Sequence, residues 1–264
     1  MSVMGSTRRL RPLVAVAAVG LGLLALPFVG LVARAPWSTM VDLLSAEVAL
    51  DALRLSVTSS LAATVLAAAL GLPIAWLLAR VPFPGRSAAR AVVTLPLILP
   101  PVVGGAALLF AVGRRGILGE PLYQASGIVL PFSWWGVVVA NVFVAMPFLV
   151  ISVEGALRSM NRRVESAAAT LGASPAQILW RVTLPTIRPA VVAGLALTWA
   201  RAFGEFGATV TFAGNLAGRT QTLPLAVFVA LESNRELAVA LSLLMVAVSL
   251  AVLVALRNWW WGFR

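Results

Sequence analysis

Six stretches of this chain, at about 13–33, 56–79, 91–112, 134–154, 189–212 and 236–256, stay apolar for roughly 20 residues at a time. A helix that crosses a bilayer needs that length, because each backbone N–H and C=O must find its partner within the segment. Composition removes the soluble alternative. Of 264 residues, 61% are hydrophobic and 11% charged, and mean hydropathy is +0.98. Soluble domains carry about a quarter charged residues, and so few cannot cover a soluble domain of this size. No long polar insert separates the stretches. The chain therefore reads as one all-α integral membrane protein with six transmembrane helices.

The first stretch follows Arg8, Arg9 and Arg11 and ends at Ala33-Arg34-Ala35, which imitates a secretory signal with its cleavage site. Its apolar run of about 21 residues is longer than a signal core, so it reads as a retained helix. Arginine bias in the short loops then sets the orientation. With the N-terminus inside, the cytoplasmic segments hold Arg8, Arg9, Arg11, Arg80, Arg86, Arg90, Arg158, Arg162, Arg163, Arg181, Arg188, Arg257 and Arg264. The external segments hold Arg34, Arg54, Arg114, Arg115, Arg219 and Arg235, and these are cancelled by Asp42, Glu47, Asp51, Glu120, Glu232 and Glu236. The net charge of +11 is thus a cytoplasmic-face surplus and gives no support to nucleic-acid binding. Both termini are expected inside. Trp259, Trp260 and Trp261, beside Arg257 and Arg264, read as an aromatic anchor at that face.

The chain has no Cys, no His and no Lys. Thiol nucleophiles, Ser-His-Asp triads, zinc sites and haem ligation are closed to it. So is a GxxxxGKS/T phosphate loop, and any ATP hydrolysis must come from another chain. No cofactor or metal site is expected in this one.

Several spans are expected to bend. Gly71 and Pro73 interrupt the second. The third opens with Leu95-Pro96-Leu97-Ile98-Leu99-Pro100-Pro101-Val102-Val103-Gly104-Gly105, where prolines remove backbone donors and glycines admit close neighbours. Such breaks survive in a membrane where protein or a water-filled cavity satisfies the freed backbone. A translocation pathway lined by spans three and five, and ordinary kinked packing, both account for them. The apolar run Thr222–Leu231 is too short to cross and reads as an external interfacial or partly inserted helix.

The segment between spans four and five, residues 161–185, predicts two short helices joined by a sharp turn. Asn161 can cap the first, with Glu165 early in it, where the helix dipole favours an acid. Gly172 stands where a left-handed C-terminal cap is wanted. Ser174 caps the second helix, Pro175 takes its first position, and Gln177 completes a capping box. Pro185 is expected to end it. Ala167, Ala168 and Ala169 give the first helix a smooth surface; Ile178, Leu179 and Val182 give the second an apolar face. A rigid elbow of this kind suits docking into a partner's groove, while a plain loop resting on lipid headgroups needs no such caps.

Span five carries charge at membrane depth, in Arg201-Ala202-Phe203-Gly204-Glu205 followed by Thr209, Thr211 and Asn215. Charges there cost about 2.5–3.5 kcal/mol each on insertion scales and usually face a bundle interior or cavity. Arg201 and Glu205, four apart, are expected to share one helix face and pair. The pair is either a structural lock or, with Thr209, Thr211 and Asn215 as neutral hydrogen-bonding groups, part of an anion path.

The elbow resembles the EAA loop of bacterial ABC-importer permeases: Gly172, Val182, Leu184 and Pro185 keep that family's spacing, and Ser166 stands where the general pattern has its acid, with Glu165 one residue earlier. The resemblance covers about residues 54–256. The string Gly204-Glu205-Phe206-Gly207-Ala208-Thr209, with Phe212-Ala213-Gly214-Asn215 and Arg219-Thr220-Gln221-Thr222-Leu223-Pro224-Leu225, is similar to the molybdate branch and less so to sulfate/thiosulfate permeases; tungstate permeases share the architecture. The resemblance implies the type I importer permease fold, with an N-terminal helix and external loop in 1–53, the permease domain in 54–256 and a cytoplasmic tail in 257–264. It implies a homodimer in the inner membrane, two cytoplasmic ATP-binding subunits that hold ATP and Mg, and an external substrate-binding protein. It makes Glu165, Ser166, Ala167, Ala168, Gly172, Ala173, Ser174, Pro175, Val182, Leu184 and Pro185 the ATPase-coupling elbow. An ion-coupled secondary transporter would show inverted repeats with coupling residues in matching halves, and none is found.

Overall fold

The structure is a computed structural model that describes residues 6–255, with side chains from Pro12 onward. The aromatic anchor read at Trp259–Trp261, with Arg257 and Arg264, lies outside the described residues, as do the side chains of Arg8, Arg9 and Arg11.

Three long helices build the centre: α3 (Glu47–Arg80), α7 (Trp134–Ser159) and α10 (Leu184–Phe203). They meet through small residues, which let backbones approach where no water can drive them together. On α3 these are Ala63, Ala67, Gly71 and Ala75, all buried. A Cβ at Gly71 would stand 3.3 Å from Met146 and Val150 of α7, and one at Gly194 of α10 would stand 3.0 Å from Leu149. Leu78, Leu149, Val150, Val153, Leu157 and Ile187 fill one end of this trio. Trp199, Phe203, Leu223 and Leu241 fill the other, tying in α12 (Leu223–Ser233) and α13 (Arg235–Ala255). α1 (Ser6–Ala33) lies against α13 at the periphery, with no residue of its apolar window fully buried. Two short helices, α2 (Met40–Ser45) and α6 (Gly119–Ser126), lie in loops.

Five of the described helical segments are continuous, long and apolar enough to cross a membrane: 12–33, 47–80, 134–159, 175–203 and 235–255. The second is one helix from Glu47 to Arg80 with Pro73 inside it, so the interruption expected at Gly71 and Pro73 does not occur. Pro73 and Ala69, whose carbonyl loses its donor, lie on the exposed side of α3, while Gly71 packs on α7. The third expected span is instead divided into α4 (Arg86–Ile98) and α5 (Pro101–Val112). Leu99 precedes Pro100, and Pro100 precedes Pro101. A residue before proline is pushed out of the helical region, and both are extended, at φ −67°, ψ 138° and φ −53°, ψ 131°.

The fifth expected span breaks as well. α10 ends at Phe203, and α11 (Gly207–Phe212) begins after Gly204-Glu205-Phe206. The short helix expected near Thr222–Leu231 is α12, anchored where the Leu223 N–H donates to Ser56 Oγ at 2.7 Å.

Candidate functional site

The elbow folds as its caps dictate. α8 (Arg162–Thr170) starts at Asn161, whose Oδ1 accepts from the Arg163 N–H at 3.0 Å. Gly172 has φ +84°, the left-handed conformation that only glycine adopts cheaply. α9 (Pro175–Ile178) opens on a complete capping box: the Gln177 N–H donates to Ser174 Oγ at 3.3 Å, and the Ser174 N–H donates to Gln177 Oε1 at 2.8 Å.

The expectation that Pro185 ends this helix is overturned. The chain runs on through a π-helical turn, Leu179–Thr183, straight into α10, with Pro185 in the first turn of that helix. A proline ring collides with the carbonyl four residues back in a regular helix. Here the Leu184 N–H reaches back to the Leu179 carbonyl instead, widening the turn just before the ring. The elbow is therefore rigidly continuous with the span that follows it.

The elbow's surface is open. Ser166, Ala167, Ser174 and Pro175 are exposed, and Ala168, Ala173, Val182 and Leu184 are half-buried. Leu171, at 89% exposure, and Trp180, at 69%, stand out as large apolar side chains with nothing over them. Sequence reading passed over both, although Leu171 beside the turn glycine is the signal that could have marked the tip. Glu165 does more than face a helix dipole. It pairs with Arg80 at the end of α3 at 3.0 Å and accepts from Thr183 Oγ1 at 2.7 Å. One carboxylate thus ties both arms of the elbow to the central trio. A second tie was also missed: buried Glu154 of α7 accepts from Arg90 Nε of α4 at 3.1 Å and pairs with Arg158 at 3.5 Å.

At the far end of α10, Arg201 and Glu205 pair as expected. They do not share a helix, because Gly204 caps α10 and places Glu205 in the break. There the Glu205 Oε1 accepts from the Ala208 N–H at 2.7 Å, so the buried carboxylate also caps α11. Thr209 is fully buried, and its hydroxyl has no partner among the described residues. Thr211 donates its hydroxyl to the Gly207 carbonyl at 2.8 Å. Asn215 lies beyond α11 with its Oδ1 buried and unpaired among the described residues. α11 presses on α5: a Cβ at Gly105 would stand 2.8 Å from the Ala208 carbonyl, and one at Gly207 would stand 2.8 Å from Pro101. Spans three and five are thus joined at their broken halves.

Comparison with known proteins agrees with this geometry. Residues 71–260 match the family described as binding-protein-dependent transport system inner membrane component. The chain belongs to that family. The permease is 46% identical over 238 residues, 90% of each chain, to the molybdenum transport system permease protein ModB of Mycobacterium tuberculosis. It is 39% identical to the protein of that name from Escherichia coli K12, over 80% of this chain and 92% of that one. It is 35% identical to the Escherichia coli K12 sulfate transport system permease protein CysT, over 89% and 86%. Among solved structures, a bacterial ABC transporter that imports the acidic polysaccharide alginate aligns with a TM-score of 0.72 at 18% identity, covering 97% of both chains. The methionine transporter MetNI aligns at 0.60 over 78% of this chain and 91% of that one. At these identities the structures speak for the fold, that of type I ABC importer permeases. The permease is a multi-pass inner-membrane protein and a transport subunit, not an enzyme.

Proposed function

We propose that this permease works as a homodimer that moves an oxyanion, molybdate first among candidates, into the cytoplasm by alternating access. Two cytoplasmic ATP-binding subunits, which hold ATP and Mg, power it, and an external substrate-binding protein delivers the anion. Six spans are proposed, with α4 and α5 together forming the third and both termini inside; residues 54–256 form the permease domain between an N-terminal helix with its loop and a short tail. The name borne by relatives at 39–46% identity supports the cargo; sulfate is the second reading, from the related sulfate permeases.

The observation that carries the mechanism is the elbow. Its tip presents Leu171 and a small-residue face to a partner, and its base continues into α10 without a hinge. When the ATPase pair closes on ATP, the docked elbows move with it. Glu165 hands that motion to α3 through Arg80, and the π turn hands it to α10. α10 carries Arg201 and Glu205, and the break beyond them leads to α11, packed on α5. The Arg201 guanidinium is more exposed than the buried Glu205 that offsets it, which gives the path a weak positive bias; half-buried Thr211 and Asn215 offer neutral hydrogen-bonding groups there, with Thr209 buried. A weak site releases an oxyanion that a bidentate cation would hold.

The test is ATPase activity of the permease co-purified with its ATP-binding partner subunit, in liposomes with its binding protein, titrated with molybdate, tungstate and sulfate. Loaded binding protein should stimulate hydrolysis, most with molybdate. Gly172→Trp, which forces a bulky residue to φ +84°, should abolish stimulation in an assembled complex. Uptake that follows an ion gradient with no ATPase bound would overturn the proposal.

A further inference from the structure

Where the elbow meets α3, two depressions run together. One, of about 520 Å³, is lined by Arg80, Arg162 and Glu165 together with Trp76, Pro175, Ala176 and Ile178. The other, of about 780 Å³, runs along α3, α7 and the start of α10 between Leu72, Leu77, Val153, Leu157, Leu184 and Ile187. Trp76, Leu179 and Thr183 line both, so a mouth rimmed by charged side chains opens directly onto an apolar groove.

The chemistry of the two halves selects the occupant. Two guanidinium groups face one carboxylate at the mouth, leaving a positive excess. Below it, apart from the indole N–H groups, Thr183 supplies the groove's one polar side chain, and its hydroxyl is already donated to Glu165. A wetted anion path needs hydrogen-bonding walls along its length, and this groove offers only the two indole N–H groups of Trp76 and Trp180 at its junction with the mouth. Trp76, 46% exposed, and Trp180, 69% exposed, flank the junction, as indole rings do at headgroup level. A cationic mouth above an apolar trough at that level matches a lipid with a negative head.

We infer that this groove binds one anionic phospholipid, its phosphate on Arg80 and Arg162 and an acyl chain along α3 and α10. The inference rests on the reading above that the elbow lies at the cytoplasmic membrane surface. Because Arg80 also holds Glu165, the lipid braces the joint between elbow and α3, and coupling becomes sensitive to the lipid.

Native mass spectrometry of the permease–ATPase complex, titrated with phosphatidylglycerol or phosphatidylcholine, tests it. Phosphatidylglycerol should add one tight adduct per permease chain. Arg162→Gln should weaken that adduct about fivefold, the worth of one arginine near an anionic surface. Ala69→Trp, which fills the groove from an exposed position, should remove it, and glycerol phosphate should not compete. Equal adducts with both lipids, or adducts unchanged in both variants, would overturn the site. So would competition by glycerol phosphate, which would mean that a free phosphate fills the mouth. The chain has no Cys, so Ala69→Cys adds a single thiol, and efficient cross-linking between two permease chains there would assign the groove to a second copy. Absence of a selective adduct from the unsubstituted complex, with anion-stimulated ATPase intact, would sink the lipid site alone; a selective adduct without any ATPase partner would sink the transport reading alone.

Discussion

Arg80 and Glu165 are 85 residues apart in sequence and 3.0 Å apart in the fold, with side chains 10% and 21% exposed. Removing either leaves the other charge half-buried without its counterpart. Arg80→Ala and Glu165→Ala should each destabilise the elbow joint by about 1.5–3 kcal/mol, the range for hydrogen bonds to charged groups. The double variant should lose less than the sum, with a coupling of about 0.5–3 kcal/mol. Thermal unfolding of the detergent-solubilised complex, with limited proteolysis between Asn161 and Pro185, measures both. Strictly additive losses would mean the two groups do not act through each other. No local pattern marks such a pair, whereas Asn161, Gly172, Ser174 and Gln177 were legible because each acts on backbone within four residues of itself. Glu154 had a local signal, Arg158 four residues on along α7, but Arg90, the partner that ties α7 to α4, sits on another helix.

Helices break where two local rules coincide and persist where one acts alone or the backbone adjusts. Pro100 and Pro101 in tandem divide span three, but Pro73 alone does not divide α3, and Pro185 does not end the elbow because a π turn makes room for it. Sequence supplied the right candidates in all three cases; what decided them was the doubling of prolines and backbone adjustment that a single residue does not encode. The packing of α5 on α11 can be probed the same way. Gly105→Ala would place a Cβ 2.8 Å from both the Ala208 carbonyl and Thr211, and should cost about 1–3 kcal/mol, as overpacking does. Gly155→Ala on α7 meets nothing within 4 Å and should be neutral or stabilising by up to about 1 kcal/mol, the helix-propensity gain. Unfolding midpoints of the two variants decide it. Equal midpoints would mean that α5 and α11 separate freely, and that the joint between the broken spans carries no load.

At the scale of the whole molecule, the sense of transport depends on which face bears the elbow. No residue of 12–33 in α1 is fully buried, and the central trio is shared between a face rich in arginine, at the ends of α3 and α7 and along the elbow, and one where acids and arginines balance. Arginine in short loops resists translocation while acids contribute little, so the elbow should remain inside and the loop after α5 should lie outside. Absence of native cysteine makes this directly measurable. Arg115→Cys, in the exposed loop between α5 and α6, should react with an impermeant maleimide on spheroplasts. Thr170→Cys, exposed on the elbow, should react only after the membrane is opened. The reverse pattern would put the elbow out of reach of any cytoplasmic ATPase, and the coupling route through Glu165 and the π turn would have no motor to drive it.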